Sequence, residues 1–359
     1  MIEAREAAQL LMVGFDGHSP SEDLRDFIRE SPTAGVIFFS RNIASTKQMA
    51  SLVREVRDLW PKDQAPPLLA IDQEGGNVRR LKAPECPDFA PFPSMRAVGL
   101  LDDEALSAEV GRVTGAQLAA LGLNLNFAPV LDIDTNPANP IINQRAFGQT
   151  PDVVSRHALA YARGLESGGV LACGKHFPGH GDSSIDSHTG LPRLGHGLER
   201  LREVELAPFK AAVRGGIPSL MSAHIVFEAL DPLLPATLSP IVIPKLLREE
   251  LGYQGVLFSD DLEMAAIAQH FGWDDVARGG LEASIDVFLV CRDLAGARGL
   301  RGALVSATQD RPDLAAAARA SLARVSALRA KAQDHGSVPY GGQLPLGDVA
   351  AALMQRLLG

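Results

Sequence analysis

Four of the nine histidines in this 359-residue chain, His176, His180, His188 and His196, fall within 21 residues. Two of them stand in the run Lys175-His176-Phe177-Pro178-Gly179-His180-Gly181-Asp182, which leads on to Asp186-Ser187-His188. Imidazoles and carboxylates can ligate a metal. A Gly/Pro-rich loop, however, lacks the fixed i, i+4 geometry of a helical metal motif, and no thiolate stands near. Solvated histidines on a structural loop are the plainer alternative. The pattern fits an active-site loop better, because long segments with glycine hinges that leave a strand end are where mobile catalytic residues are carried. Asp186 and His188 are two residues apart, so the carboxylate can reach the imidazole, orient it and stabilise its protonated form. A histidine titrating near its ordinary value of about 6.5 can deliver and then retrieve a proton at neutral pH.

A second group is acidic. Phe258-Ser259-Asp260-Asp261-Leu262-Glu263-Met264 follows an apolar stretch, so the paired acids are not a solvated charge run. Successive side chains of a strand alternate between faces. One acid is therefore expected in the pocket and the other in the loop shell, without parity saying which. For Asp261 a helix N-cap is the plainer reading. Ala70-Ile71-Asp72-Gln73-Glu74-Gly75-Gly76 also ends an apolar run in acids and a glycine pair. Arg80 and Arg145, taken singly, read as surface charges. Gly169 to His176 approaches a phosphate-binding P-loop, but His176 stands where a hydroxyl must hold Mg²⁺, and the intervening residues read as strand. Neither a nucleophile-elbow nor a dinucleotide-binding glycine pattern is present.

These residues need a frame. Eight short apolar runs bounded by Gly, Pro and Asn read as buried strands: 10–15, 34–39, 67–72, 124–129, 171–176, 219–224, 255–260 and 286–291. Helical spacing recurs between them, as in 48–59, where Met49, Leu52, Val53, Val56 and Leu59 share a face, and in 102–121 and 153–166. Repeated βα units with near-continuous apolar strands imply a parallel sheet covered on both faces. A (β/α)₈ barrel and a doubly wound open sheet both satisfy this. Asp72, Lys175, His176, His224 and Asp260 all stand at C-terminal strand ends, which a barrel gathers at one mouth and an open sheet spreads along a crevice. The expectation is a single-domain barrel over residues 1–300. Residues 301–359 then form C-terminal helices packed on it, with Leu322, Val325 and Leu328 on one face and a last helix over 344–358.

Composition narrows the function. The formal charge is −9, aromatic content is 5% and there is no Lys/Arg block, which argues against nucleic acid and anionic membrane surfaces as partners. No stretch approaches the roughly 18 consecutive apolar residues of a membrane span. Three scattered cysteines, Cys86, Cys173 and Cys291, do not make a disulfide framework. The N-terminus is acidic where a signal peptide is basic, and its apolar segment is broken by Gly14 and Asp16, so a cytoplasmic location is expected.

Together, Ala-Ile-Asp-Gln-Glu-Gly-Gly, Lys-His-Phe-Pro-Gly-His-Gly-Asp, Asp-Ser-His and Phe-Ser-Asp-Asp-Leu resemble glycoside hydrolase family 3. More narrowly, they resemble the bacterial β-N-acetylhexosaminidases of peptidoglycan recycling, over about Gln9 to Arg292. The resemblance implies a TIM-type barrel and a retaining mechanism, with Asp260 as nucleophile, His188 as acid/base and Asp186 as its orienting partner. It implies that Asp72, Arg80, Arg145, Lys175 and His176 bind the sugar, and that no metal or other cofactor is used. One departure is Ala146 after Arg145, where relatives often carry Ser; the guanidinium is retained. The implied substrate is a small carbohydrate, terminal β-GlcNAc of GlcNAc-1,6-anhydroMurNAc muropeptides, and the implied enzyme is a monomer. β-Glucosidases of the family use a second domain for the acid/base, for which this chain is expected to leave no room. GlcNAc phosphorylases remain an alternative within the family, and a metal-dependent amidohydrolase or an inactive sugar-binding barrel outside it.

Overall fold

In the computed structural model, residues 1–62, 64–183, 187, 190–332 and 340–358 are described. Each apolar run of the sequence is a strand: β1 (Leu11–Val13), β2 (Gly35–Phe38), β3 (Leu68–Ile71), β4 (Leu125–Asn126), β5 (Leu171–Phe177), β6 (Ser219–Ser222), β7 (Val256–Asp261) and β8 (Val287–Val290). Each pairs in parallel with its neighbours in chain order, and β8 returns to β1, so the eight close a barrel. The chain is thus a (β/α)₈ TIM-type barrel. The open-sheet alternative is excluded by the β1–β8 ladder, in which Leu11, Met12 and Val13 pair with Phe288, Leu289 and Val290.

The outer helices begin where the sequence supplies a cap. Ser21 accepts a hydrogen bond from the Leu24 amide ahead of α1 (Glu22–Glu30), and Ser45 from that of Gln48 ahead of α2 (Thr46–Arg57). Asp103 does the same for α3 (Glu104–Ala120). Each side chain satisfies an amide that the first helical turn leaves without a partner. The layer continues with α4 (Pro151–Ser167), α5 (Ala207–Arg214), α6 (Trp273–Glu282), α7 (Leu294–Gln309), α8 (Pro312–Lys331) and α9 (Gly347–Leu358). Among the described residues no helix is long and apolar enough to cross a membrane.

Two large apolar clusters fill most of the molecule among the described residues, beside a small one of Val130, Ile142 and Ala146. The larger of the two lies between the strands and the surrounding helices. The other fills the barrel with Met12, Ile37, Leu125, Phe127, Met221 and Phe258, and it also contains Val325 and Leu328 of α8. Helix α8 crosses the end of the barrel where the strands begin. Arg324 reaches the buried Asp286 just before β8 at 2.8 Å, and Arg329 donates to the carbonyls of Ala65 and Pro66 ahead of β3. The opposite mouth, where the strands end, is left to the polar side chains.

Candidate active site

The acids that end β3 and the residues that end β5 meet over the barrel. Asp72 follows β3 directly, and the chain then doubles back as a short hairpin, Gln73–Gly75 against Val78–Arg79. Lys175 reaches Asp72 Oδ1 with its Nζ at 2.7 Å, and Arg80 reaches Asp72 Oδ2 with Nη2 at 3.0 Å. Burial works against the Asp72 charge, but Lys175 and Arg80 outweigh it and hold the carboxyl well below its usual range. Glu74 lies beneath, 3% exposed. It is gripped by Arg145 through two bonds of 2.8 Å and touched by Lys175 at 2.7 Å. Burial again opposes its charge, and Arg145 and Lys175 again prevail, bringing it to about 2. The Lys175 ammonium thus lies between two carboxylates and is itself pushed upward: desolvation disfavours its charge, and Asp72 and Glu74 more than compensate.

A second cluster forms around Asp132, which is 1% exposed. It lies just beyond β4, on a segment that runs beside β5 through a Val130–Lys175 bridge. Its Oδ2 is 2.6 Å from His176 Nδ1, and the His180 amide donates to its Oδ1 at 2.7 Å. Burial opposes the Asp132 charge, and the His176 contact overrides it. His180 itself is driven down to about 4 by burial, so it is neutral at pH 7. Its ring lies between Ser183 Oγ (2.8 Å) and Ser187 Oγ (3.2 Å).

Across the mouth, at the end of β7, Asp260 and Asp261 both line the same cavity of about 280 Å³. This corrects the expectation that alternation would send them to opposite sides. The register of β7 against β8 shifts between Phe258 and Asp261, so regular pleating stops before the two acids. The β5–β6 register shifts in the same way between Gly174 and Phe177, and both Lys175 and His176 line the cavity. The two aspartates are not equivalent. Asp261 Oδ1 accepts from the Glu263 amide at 3.1 Å and the Cys291 amide at 3.4 Å. Burial outweighs these bonds and lifts Asp261 to about 6. Asp260 accepts the Asp261 amide at 2.8 Å. Burial opposes its charge, but the imidazoles of His176 and His224, that amide, and Lys175 together hold it below its usual value. His224 is fixed in turn, with Nδ1 2.8 Å from Thr237 Oγ1 and Nε2 3.0 Å from the Asp261 carbonyl oxygen.

Asp72, Arg80, Arg145, Lys175, His176 and Asp260 therefore line one cavity together with Phe127, whose ring meets that of Phe258 edge-on. Asp186 and His188 lie outside the described residues. Ser187 between them lines the cavity, and its carbonyl accepts from the Ala266 amide at 3.2 Å. Sequence reasoning did not single out Glu74 and Asp132 as site residues. Glu74 stood in a quoted motif, two residues from Asp72. Asp132 lies past the end of an apolar run in Leu131-Asp132-Ile133-Asp134, and its place depends on how that segment pairs with β5. Among the described residues no group of three or more His, Cys, Asp or Glu side chains is gathered to hold a metal ion.

The arrangement sets the Asp260 carboxylate across a cavity of about 280 Å³ from a polar grip of fixed, paired charges. Known proteins carry the same frame. Residues 3–324 match the glycosyl hydrolase family 3 N-terminal domain. The chain is 37% identical over 282 residues to beta-hexosaminidase A of Pseudoalteromonas piscicida. That match covers 75% of this chain and 47% of the relative, so the chain spans about half of that relative's length. A family 3 beta-N-acetylglucosaminidase from Paenibacillus sp. superposes with a TM-score of 0.91 at 38% identity, covering 99% of this chain and 68% of that one. Native NagZ from Neisseria gonorrhoeae superposes at 0.81 with 33% identity, covering 98% of each chain. The same protein has been solved in complex with N-trifluoroacetyl-D-glucosamine, and that form superposes at 0.71 with 32% identity, covering 89% of this chain and 98% of that one. By the extent of the family match and by these relatives, the chain belongs to glycosyl hydrolase family 3.

Proposed function

We propose that the chain is a retaining exo-β-N-acetylglucosaminidase that removes terminal β-linked GlcNAc through a covalent glycosyl-Asp260 intermediate. The observation that carries this reading is the charge state of the mouth. Asp260 is held ionised opposite Asp72, Arg80, Arg145, Lys175 and His176, in a cavity of about 280 Å³. In the first step Asp260 attacks C1 while the leaving oxygen takes a proton from His188, oriented by Asp186. In the second, His188 takes a proton from water, which attacks C1 and frees Asp260. One Asp260 oxygen is occupied by the Asp261 amide, which leaves the other to bond to C1. The fixed ion pairs of Asp72 and Glu74 keep the gripping groups in place without reorganisation during the reaction. GlcNAc-1,6-anhydroMurNAc muropeptides of cell-wall recycling are the proposed substrates, in the cytoplasm and by a monomer. The names of the relatives and the GlcNAc derivative bound by the gonococcal protein support the sugar.

A panel of aryl β-glycosides of GlcNAc, glucose and xylose tests the reading. The GlcNAc glycoside is expected to be turned over much faster than the other two. Equal or better turnover of the glucoside rejects it.

A further inference from the structure

Among the described residues Asp132 is the most fully buried carboxylate of the mouth, and the mechanism above does not use it. It accepts four hydrogen bonds. The His176 backbone amide lies 3.2 Å from each of its oxygens, the His180 amide 2.7 Å from Oδ1, and His176 Nδ1 2.6 Å from Oδ2. A carboxylate can only accept, so the short contact to Nδ1 requires a proton on that nitrogen. On the other side of the ring, Nε2 lies 3.4 Å from Arg145 Nη2. A guanidinium can only donate, so it favours a lone pair there. Arg145 is itself held against Glu74 by two bonds of 2.8 Å and cannot turn its fork away. Two independent contacts, one at each nitrogen, thus select the same tautomer.

We propose that Asp132 is a positioning residue that locks His176 as the Nδ1–H tautomer, so that His176 Nε2 and the Arg145 guanidinium together form an acceptor–donor pair that reads one hydroxyl of the bound sugar. A hydroxyl both donates and accepts. Entering between them, it replaces the long 3.4 Å contact of Arg145 with Nε2: it gives its own proton to Nε2 and accepts the N–H that Arg145 Nη2 had directed there, whereas a fluorine or an ether oxygen at the same position can do only the second. His176 and Arg145 both line the cavity, which puts the pair where a ligand would meet it. The hydroxyl-reading half of this inference rests on the glycosidase reading; the tautomer does not.

The chemistry of Asp132→Asn makes the test sharp. If the Asn oxygen accepts from Nδ1, its NH₂ faces the His180 amide, donor against donor. If the group is flipped, the NH₂ faces Nδ1 and moves the ring proton to Nε2, against Arg145. Neither arrangement keeps all four bonds.

The measurement has two arms. In the first, the histidine ¹⁵N shifts of the whole wild-type chain, with His176 assigned through His176→Gln, report the tautomer at pH 7.5. A protonated Nδ1 and an unprotonated Nε2 are expected. The reverse tautomer, or a ring protonated at both nitrogens, overturns the proposal whether or not the variant folds. In the second, kcat/KM is measured on aryl β-GlcNAc substrates bearing fluorine in place of the hydroxyl at C3, C4 or C6. The wild type is expected to lose about 30-fold or more at one position, and Asp132→Asn to lose only a few-fold there. An equal penalty in both proteins overturns the role of Asp132. If the wild type hydrolyses no β-GlcNAc substrate while the first arm holds, the glycosidase reading fails and the tautomer lock stands.

Discussion

Glu74 shows how a residue gripped by two cations can decide whether the others are in place. Its carboxylate is all but excluded from water, and two cations converge on it, Arg145 and Lys175. Removing one partner of such a buried cluster leaves uncompensated charge and costs about 3–5 kcal/mol. Glu74→Gln is therefore expected to lower unfolding stability by that order in urea titrations and to cut kcat/KM at least tenfold, as Arg145 loses its double anchor. An unchanged midpoint would mean that Asp72 alone suffices. Asp261 tests the opposite electrostatic sign. Its carboxyl is lifted by burial from an ordinary 3.8 to about 6. Between those values the folded chain keeps a proton that the unfolded chain has released, so this group costs stability as pH rises through that window. Asp261→Asn can still accept from the Glu263 and Cys291 amides through its own oxygen. The melting temperature of the variant relative to wild type should be level near pH 4, rise up to about pH 6, and stay raised above it. A pH difference of one in pKa is worth about 1.4 kcal/mol, which caps the gain near ~3 kcal/mol. A difference that does not vary with pH would contradict the burial assigned to Asp261.

At the level of elements, the barrel strands were legible because a strand buried on both faces must be apolar throughout, and turn residues mark its ends. The positions of Asp72, Lys175, His176 and Asp260 at those ends followed directly. The two register shifts were not legible. They arise where β5 meets β6 and β7 meets β8, and pairing between distant segments leaves no local pattern at Lys175-His176 or Asp260-Asp261. Asp132 was hidden for the same reason, since its role comes from a segment lying against β5. Helix packing also depends on residues that periodicity passes over. Helices α3 and α4 approach so closely that a Cβ on Gly164 would stand 2.0 Å from the Ala108 carbonyl oxygen. Backbone cannot give way as a flexible side chain does. Gly164→Ala, although it favours helix locally, is expected to destabilise by about 1–3 kcal/mol or more through overpacking. Thermal unfolding checks this, and a stabilised variant would show that the two helices have room to part.

For the whole molecule, one end of the barrel is built for stability and the other for chemistry. Helix α8 closes the first with Val325 and Leu328 inside and Arg324 on the buried Asp286. The second holds the ion-paired grip and the two aspartates, one lowered and one raised from the ordinary carboxyl value. That difference bears on the central claim, because a glycosidase acting on GlcNAc has two routes to retention. It can attack with its own carboxylate, or let the acetamide of the substrate attack while a paired acid polarises it. Both Asp260 and Asp261 line the cavity, so direction alone does not choose between the routes. Their surroundings do: Asp260 is held below its usual range with one oxygen left free of the Asp261 amide, whereas burial raises Asp261 to about 6 and its Oδ1 is engaged by two backbone amides. The most direct measurement is to trap the enzyme with a slow fluorinated β-GlcNAc-type glycoside and locate the label by peptide mass spectrometry. One added sugar mass on Asp260 is the expected result. A label on Asp261, or an oxazoline product released from an unlabelled enzyme, would contradict it.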